Sequence, residues 1–339
     1  VNTTKPPATR FVFVRNPFFH RIDQSGLQLP YIDTIVFSQV SSSLIAAKTG
    51  SGESDLQARN ISLKSFPFLK KGEKRNNYKT LLWDEAKGSH YALFPNLNVN
   101  DPILKKLFRD VRFRRALSMS IDREMINEAL YFGLAIPSNN TVLPESPLFK
   151  DSYQTVWTEY DPSMANNILD QIGTIKLNKK GTRELEDGRE LEIIVETAGE
   201  SEEETDLLEL IKEGWAEIGI KLFTKPSQRE VLRNRIFSGQ TMMAIWSGLE
   251  NGVPTAEFEP RELAVTTQHQ YQWPQWGQFY ETQGRSGEKT DLDSVIELNN
   301  LLEEWKTLNS REERAKIWHK MLSIYTDNVF SIGIISGVK

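Results

Sequence analysis

The sequence predicts an α/β protein of about two domains, and three observations carry that prediction. The chain has 339 residues, 39% of them apolar, which is enough to bury a substantial core. Residues 191–246 alternate between short β-branched runs and helical patterns, strand–helix–strand–helix–strand. Apolar residues at helical spacing recur over 292–305, and a capping box at Ser310 and Glu313 opens a further helix to about Tyr325.

From the N-terminus, residues 1–8 read as a frayed lead-in. Residues 10–14 (RFVFV) alternate as a strand that ends at the turn signal Asn16-Pro17, and 32–37 (IDTIVF) form a second strand. A short helix is expected over 41–48, stopped by Gly50-Ser51-Gly52. The basic stretch 70–79 reads as a solvated surface loop, with a phosphate-binding patch as the weaker alternative. In 110–135, Val111, Phe113, Leu117 and Ile121 mark an apolar helix face. Asp122 restarts a helix as its N-cap, Ile121 and Ile126 are placed for a hydrophobic staple, and Gly133 ends it. Asp161 caps a further helix with Pro162 at its first position, closed by Gly173.

The alternating segment starts with a strand at 191–195, fed by a hairpin turn at Asp187-Gly188. The helix 202–218 crowds Glu202, Glu203, Glu204 and Asp206 into its first turns, where carboxylates favour the positive end of the helix dipole. A strand at 220–223 follows, then a helix to Phe237 that Ser227 and Glu230 would open as a capping box. Residues 242–246 (MMAIW) form the third strand, and the pattern implies a mostly parallel sheet. Ser310 and Glu313 make a second capping box, and 329–335 (VFSIGII) read as a buried strand. The chain opens at Val1 and stops just beyond that strand, which leads us to expect a piece excised from a longer protein.

Composition narrows the function. With 41 basic and 46 acidic side chains the net charge is -5, unlike a nucleic-acid binder. No apolar run approaches the roughly 20 residues that span a bilayer. The absence of cysteine removes disulfide, iron–sulfur and thiol chemistry. His20, His90, His269 and His319 lie too far apart in sequence for a helical zinc pair. The sequence holds no nucleophile elbow, P-loop, dinucleotide fingerprint or zincin motif, so neither catalytic residues nor a cofactor are expected.

Two segments could hold a ligand. In open α/β sheets, ligands sit beyond the carboxyl ends of the strands. The strand ending at Trp246 runs into Ser247-Gly248-Leu249-Glu250-Asn251-Gly252. Trp246 offers an apolar wall and Glu250 a charge suited to a cation, while a core indole and a solvated carboxylate fit the same residues equally well. Residues 271–280 (YQWPQWGQFY) carry five aromatics, and their Pro and Gly argue against a simple helix or strand. Trp273 and Trp276 there would either cover a hydrophobic edge or face a cleft. A two-lobed glycan hydrolase with paired carboxylates and a partner-docking scaffold are the rival readings.

An ordered set of motifs resembles the family 5 solute-binding proteins, the oligopeptide and dipeptide receptors of bacterial ABC importers. Residues 110–135 (DVRFRRALSMSIDREMINEALYFGLA) resemble the family's D-V-R helix, D-r cap and G-x-A. Residues 160–173 (YDPSMANNILDQIG) are similar to its Y-D-P-x-x-A-x-x-L segment. Residues 15–23 with 31–37, and 52–56 (GESDL), look like two earlier family segments, so the resemblance runs along nearly the whole chain.

The resemblance implies a periplasmic-binding-protein-like, type II fold of two lobes, here one nearly complete lobe and part of the other. Residues 1–90 would be partial lobe one, 91–330 lobe two, and 331–339 a return strand toward lobe one. It implies capture of a small solute, foremost an oligopeptide or else an oligosaccharide, by hinge closure, and delivery to membrane permease subunits. The location implied is the periplasm, or the outer face of the membrane in a Gram-positive cell. The candidate ligand-binding residues are Trp246, Glu250 and Asn251 in the stretch that matches the family, together with Trp273 and Trp276 of the aromatic segment. In peptide-binding members a W-x-x-D stretch supplies an acid for the ligand's amino terminus. Leu249 stands at that position here, and Glu250 replaces the acid if the loop is one residue longer.

Overall fold

The computed structural model describes residues 1–338, which form two compact units, Val1–Thr80 and a larger one from Leu81 onward. The division falls ten residues before the boundary expected at 90/91, and the segment 81–90 belongs to the larger unit.

In the first unit, β1 (Arg10–Val14) and β2 (Thr34–Ser38) pair as an antiparallel ribbon, Arg10 opposite Ser38. Two helices follow, α1 (Ser42–Gly50) and α2 (Phe66–Asn76). The second corrects the expected loop at 70–79. Pro67 sits in its first turn, Leu69 is buried, and the lysines occupy the solvated side. All five residues of β2 are exposed.

The larger unit is built on β3 (Tyr91–Pro95), followed by α3 (Pro102–Arg109), α4 (Val111–Met119) and α5 (Arg123–Tyr131). Asp101, Asp110 and Asp122 cap the three helices, each carboxylate accepting backbone N–H groups of the first turn. Next come the short strand β4 (Ile136–Pro137), α6 (Asp151–Thr155), and α7 (Pro162–Asp170), capped by Asp161. A small hairpin, β5 (Lys176–Leu177) and β6 (Arg183–Glu184), precedes the alternating segment. That segment is β7 (Glu192–Thr197), α8 (Glu202–Glu217), β8 (Lys221–Pro226), α9 (Arg229–Phe237) and β9 (Met243–Trp246). The chain continues through α10 (Pro274–Glu281), α11 (Asp293–Thr307) and α12 (Arg311–Asp327) to β10 (Ile332–Ser336).

Six strands form one mixed sheet in the order β4-β10-β3-β9-β7-β8. Only β8, β7 and β9 are parallel, so the sheet is not mostly parallel as the repeat implied. The other pairings are antiparallel, with Ala92 of β3 opposite Trp246 of β9. The local β-α-β rule fixed the three strands that α8 and α9 connect. It was silent on β3 and β10, which arrive from distant sequence. Within the segment 331–339, expected as a return strand toward lobe one, Ile332–Ser336 form β10, which lies between β3 and β4 in this sheet. Its five residues are buried, as an interior strand requires.

The chain passes from β8 through α9 across to the far side of β7, which places a topological switch point between β7 and β9. Because β3 is antiparallel to β9, its amino end meets the carboxyl end of β9 at this same rim. Helices clamp the sheet below it: Trp215 of α8 is fully buried, its indole N–H donating to the Leu117 carbonyl at 3.1 Å. Arg123, also buried, donates to the carbonyls of Gly333 and Ser118 at 2.8 Å each and joins α5 to β10. Arg235 of α9 grips the buried Glu196 of β7 with two hydrogen bonds of 2.7 and 2.8 Å.

Candidate solute-binding site

The rim at the switch point opens into a cavity of ≈ 520 Å³. Trp246, the last residue of β9, stands in its wall because the strand's alternation places Ile245 in the core and the next side chain on the other face. Tyr271 meets the Trp246 indole edge-on, centroids 6.0 Å apart, and Phe94 meets Tyr271 in the same manner at 6.1 Å. The Arg229 guanidinium lies over the Trp246 ring, 5.0 Å from its centroid, and pairs with Glu200. Arg233, one helical turn on, also lines the cavity.

The loop after β9 is held by backbone contacts. Gly248 N–H donates to the Ser89 carbonyl at 2.8 Å, and Gly88 N–H donates to the Leu249 carbonyl at 2.9 Å. Asn140, buried, accepts from Leu249 N–H at 2.9 Å and donates to Ser331 Oγ at 2.8 Å. This close approach requires glycine at 248, since a Cβ there would lie 2.2 Å from Asn140 Oδ1.

The acidic residues at the rim have different roles. Leu249 is 6% exposed and packs inward. The Glu250 side chain is 66% exposed and forms an ion pair with Lys87. Asn251 turns its side chain onto its own loop, accepting from Val253 N–H at 3.0 Å, an Asx turn rather than a contact across the cavity. Glu262 sits on a single helical turn, Arg261–Leu263, anchored by the buried Leu263. Its carboxylate lines the cavity and accepts from Glu250 N–H at 2.7 Å. Burial pushes the Glu262 carboxyl above its ordinary range and the Glu250 charge adds to this, against the pull of the backbone N–H groups and Lys87. Gln270 fixes that turn, its side-chain NH₂ donating to the carbonyls of Glu262 and Ala264 at 3.1 and 2.8 Å.

Over residues 3–260 the chain matches the description of the bacterial extracellular solute-binding proteins, family 5, middle region. The chain belongs to this family.

One curated relative is the periplasmic alpha-galactoside-binding protein of Rhizobium meliloti. It is 23% identical over 349 aligned positions that cover 97% of this chain and 48% of that protein. Among solved structures, the periplasmic binding protein MelB of Agrobacterium fabrum in complex with stachyose superposes with a TM-score of 0.79 at 19% identity, over 99% of this chain and 50% of that one. The oligopeptide-binding protein of Thermus thermophilus, complexed with a pentapeptide, gives 0.76 at 16% identity, over 100% and 56%. The type II periplasmic-binding-protein fold is therefore shared, and the chain spans about half the length of these relatives.

Within this family 5 chain, Trp246 and Glu250 both border the cavity, and Trp273 and Trp276 do not. Both indoles are fully buried. Trp273 packs against Phe330 and Tyr325, centroids 5.3 and 6.1 Å away, and the Arg109 guanidinium lies over Trp276 at 4.9 Å. The expectation that they face a ligand is corrected. Pro274, read as an interruption, instead opens α10 at its first turn, and the helix carries Trp276 into the core. Gly277 is small because a Cβ would lie 2.1 Å from the Thr267 carbonyl oxygen.

Of that aromatic segment it is Tyr271 that reaches the cavity. Sequence reasoning passed over Asn140, Arg233, Glu262 and Gln270, which stand on four separate segments. The run Asn139-Asn140-Thr141, buried and polar between apolar stretches, offered no local signal of its partner more than a hundred residues away. Among the described residues no cluster could hold a metal ion, and no helix is long and apolar enough to cross a membrane.

Proposed function

We propose that this chain carries the solute-binding lobe of the substrate-binding component of an ABC importer, which captures a small solute without transforming it. The carrying observation is the ≈ 520 Å³ cavity at the switch point, lined by aromatics and by charges of both signs. Its size lies within the range of small-ligand sites, roughly 300–1,000 Å³. A second lobe would close over it by hinge motion, and the closed form would dock on membrane permease subunits outside the cytoplasm. The solute must bind the closed form more tightly than the open one to drive that change. In this reading Val1–Thr80 belongs to lobe one and the larger unit is lobe two.

An oligopeptide is the first solute class. The Glu262 carboxylate and the Arg233 guanidinium, both in the cavity lining, suit the two ends of a zwitterion. An oligosaccharide is the second, and one observation favours it: the buried Leu249 removes the acid that peptide-binding members place there. The alpha-galactoside-binding relative supports the same alternative.

Calorimetric titration of the intact protein with tetra-alanine and with stachyose tests the proposal. One-to-one binding of either is expected, weakened at least tenfold by Trp246→Ala through loss of an aromatic contact of about 1.5 kcal/mol or more. Binding of neither compound, or equal binding by W246A, sinks the reading.

A further inference from the structure

We infer that Glu262, not Glu250, is the carboxylate that receives the donor group of the solute, an N–H of an ammonium or an O–H of a sugar. The inference rests on the solute-binding reading above and assigns the polar contact within it.

Three features separate the two acids. The Glu250 side chain is 66% exposed at the cavity edge, and its charge is already matched by Lys87. An exposed, paired carboxylate gains little from a second partner. Glu262 is half-buried in the cavity wall and has no lysine or arginine within ion-pair distance among the described residues. Its orientation is also fixed before any ligand arrives. Glu250 N–H holds one carboxylate oxygen, and Gln270 ties down the backbone of the turn that carries it. A preorganised acceptor beside an aromatic wall binds a donor without reorganisation cost. The raised proton affinity of Glu262 fits an acid whose desolvation is only partly compensated in the free protein. A donor from the solute would complete the compensation and favour the ionised form. Sequence placed the acid beside Trp246; the fold brings one in from twelve residues further along.

The intact protein, Glu262→Gln and Glu250→Gln are titrated with tetra-alanine, N-acetyl-tetra-alanine and stachyose. E262Q is expected to weaken binding on the order of ten- to a hundredfold, the effect of losing a charge-assisted hydrogen bond. E250Q should stay within about fivefold of the parent. If tetra-alanine is the ligand, its acetylated form loses affinity in the parent and not further in E262Q; if stachyose is, only E262Q matters. Parental affinity in E262Q, or a loss confined to E250Q, overturns the assignment of Glu262 while leaving the solute-binding reading standing. Binding of no compound by the parent overturns both.

Gln at 262 keeps an oxygen for Glu250 N–H, so the variant should fold; if it does not, the parent alone decides. Titration at mildly acid pH in two buffers of different ionisation enthalpy should show proton release on binding. Absence of proton linkage there overturns the inference.

Discussion

A methyl group on Gly248 would lie 2.2 Å from Asn140 Oδ1 and 2.7 Å from Ser89 N. Neither neighbour is a free end: Asn140 is bonded to Leu249 and Ser331, and Ser89 is backbone. Gly248→Ala should therefore destabilise the fold by about 1–3 kcal/mol, the usual cost of overpacking, and displace the loop that carries Glu250. Urea denaturation measures the first effect and solute titration the second; an unchanged midpoint would show that the loop yields freely. At this scale the sequence was partly legible. An indole closing a buried strand in an α/β repeat announces a rim position, and Trp246 lines the cavity. Glu262 gave no such sign, because its distance from Trp246 in space is set by a loop with no periodicity. Trp273 and Trp276 misled for a related reason: aromatic density signals buried area but not which side is buried.

Among the elements, caps decide where helices start. Asp161 accepts from Met164 N–H at 2.7 Å and opens α7 where the sequence placed it. Asp161→Ala should cost about 1 kcal/mol, within the 0.5–2 kcal/mol range of lost N-caps, visible as a fall in the thermal midpoint. A variant melting with the parent would mean that packing of α7 on α4 alone sets that boundary. The capping box expected at Ser227 shows the limit of such reading. Ser227 N–H donates to the Thr197 carbonyl at 3.0 Å and extends the β7–β8 ladder, so α9 begins after Gln228 with no side-chain cap. The Ser310 box did form, its hydroxyl accepting from Glu313 N–H at 3.3 Å, because no strand competes for its backbone. Local signals hold where no tertiary hydrogen bond claims the same groups.

Across the whole molecule, a half-buried polar cluster ties the segment just before β3 to α5 and α8 and sets the pH response. His90 bonds Glu85 at 2.5 Å and Glu203 at 3.1 Å, and Tyr131 donates to Glu203 at 2.5 Å. Burial alone would lower the His90 pKa, but the bonds to Glu203 and Glu85 outweigh it and raise it from 6.5 to about 9. Burial, with the charges of Glu200 and Glu203, raises Glu204 from 4.5 to about 7. The His90 contribution is complete below 6.5 and is lost as pH climbs through about 9. For Glu204, ionisation is costlier in the folded chain, so stability falls as pH rises from 4.5 to about 7. Both shifts make the protein more stable in mildly acid than in alkaline buffer. Denaturant midpoints across that interval test this: His90→Gln should flatten the alkaline limb and Glu204→Gln the limb nearer neutrality. A profile that rises with pH would refute the assignment.

At this largest scale, what the sequence determined by itself was the α/β class, the order and approximate bounds of most elements, and the family. Hydrophobic period, caps and turn residues act over a few positions and are written where they act. The tertiary structure decided the mixed strand order, the interior place of β10, and the company kept by Trp246. Those depend on which distant segments bury one another's surface and satisfy one another's backbone groups, a competition that no short window of residues contains.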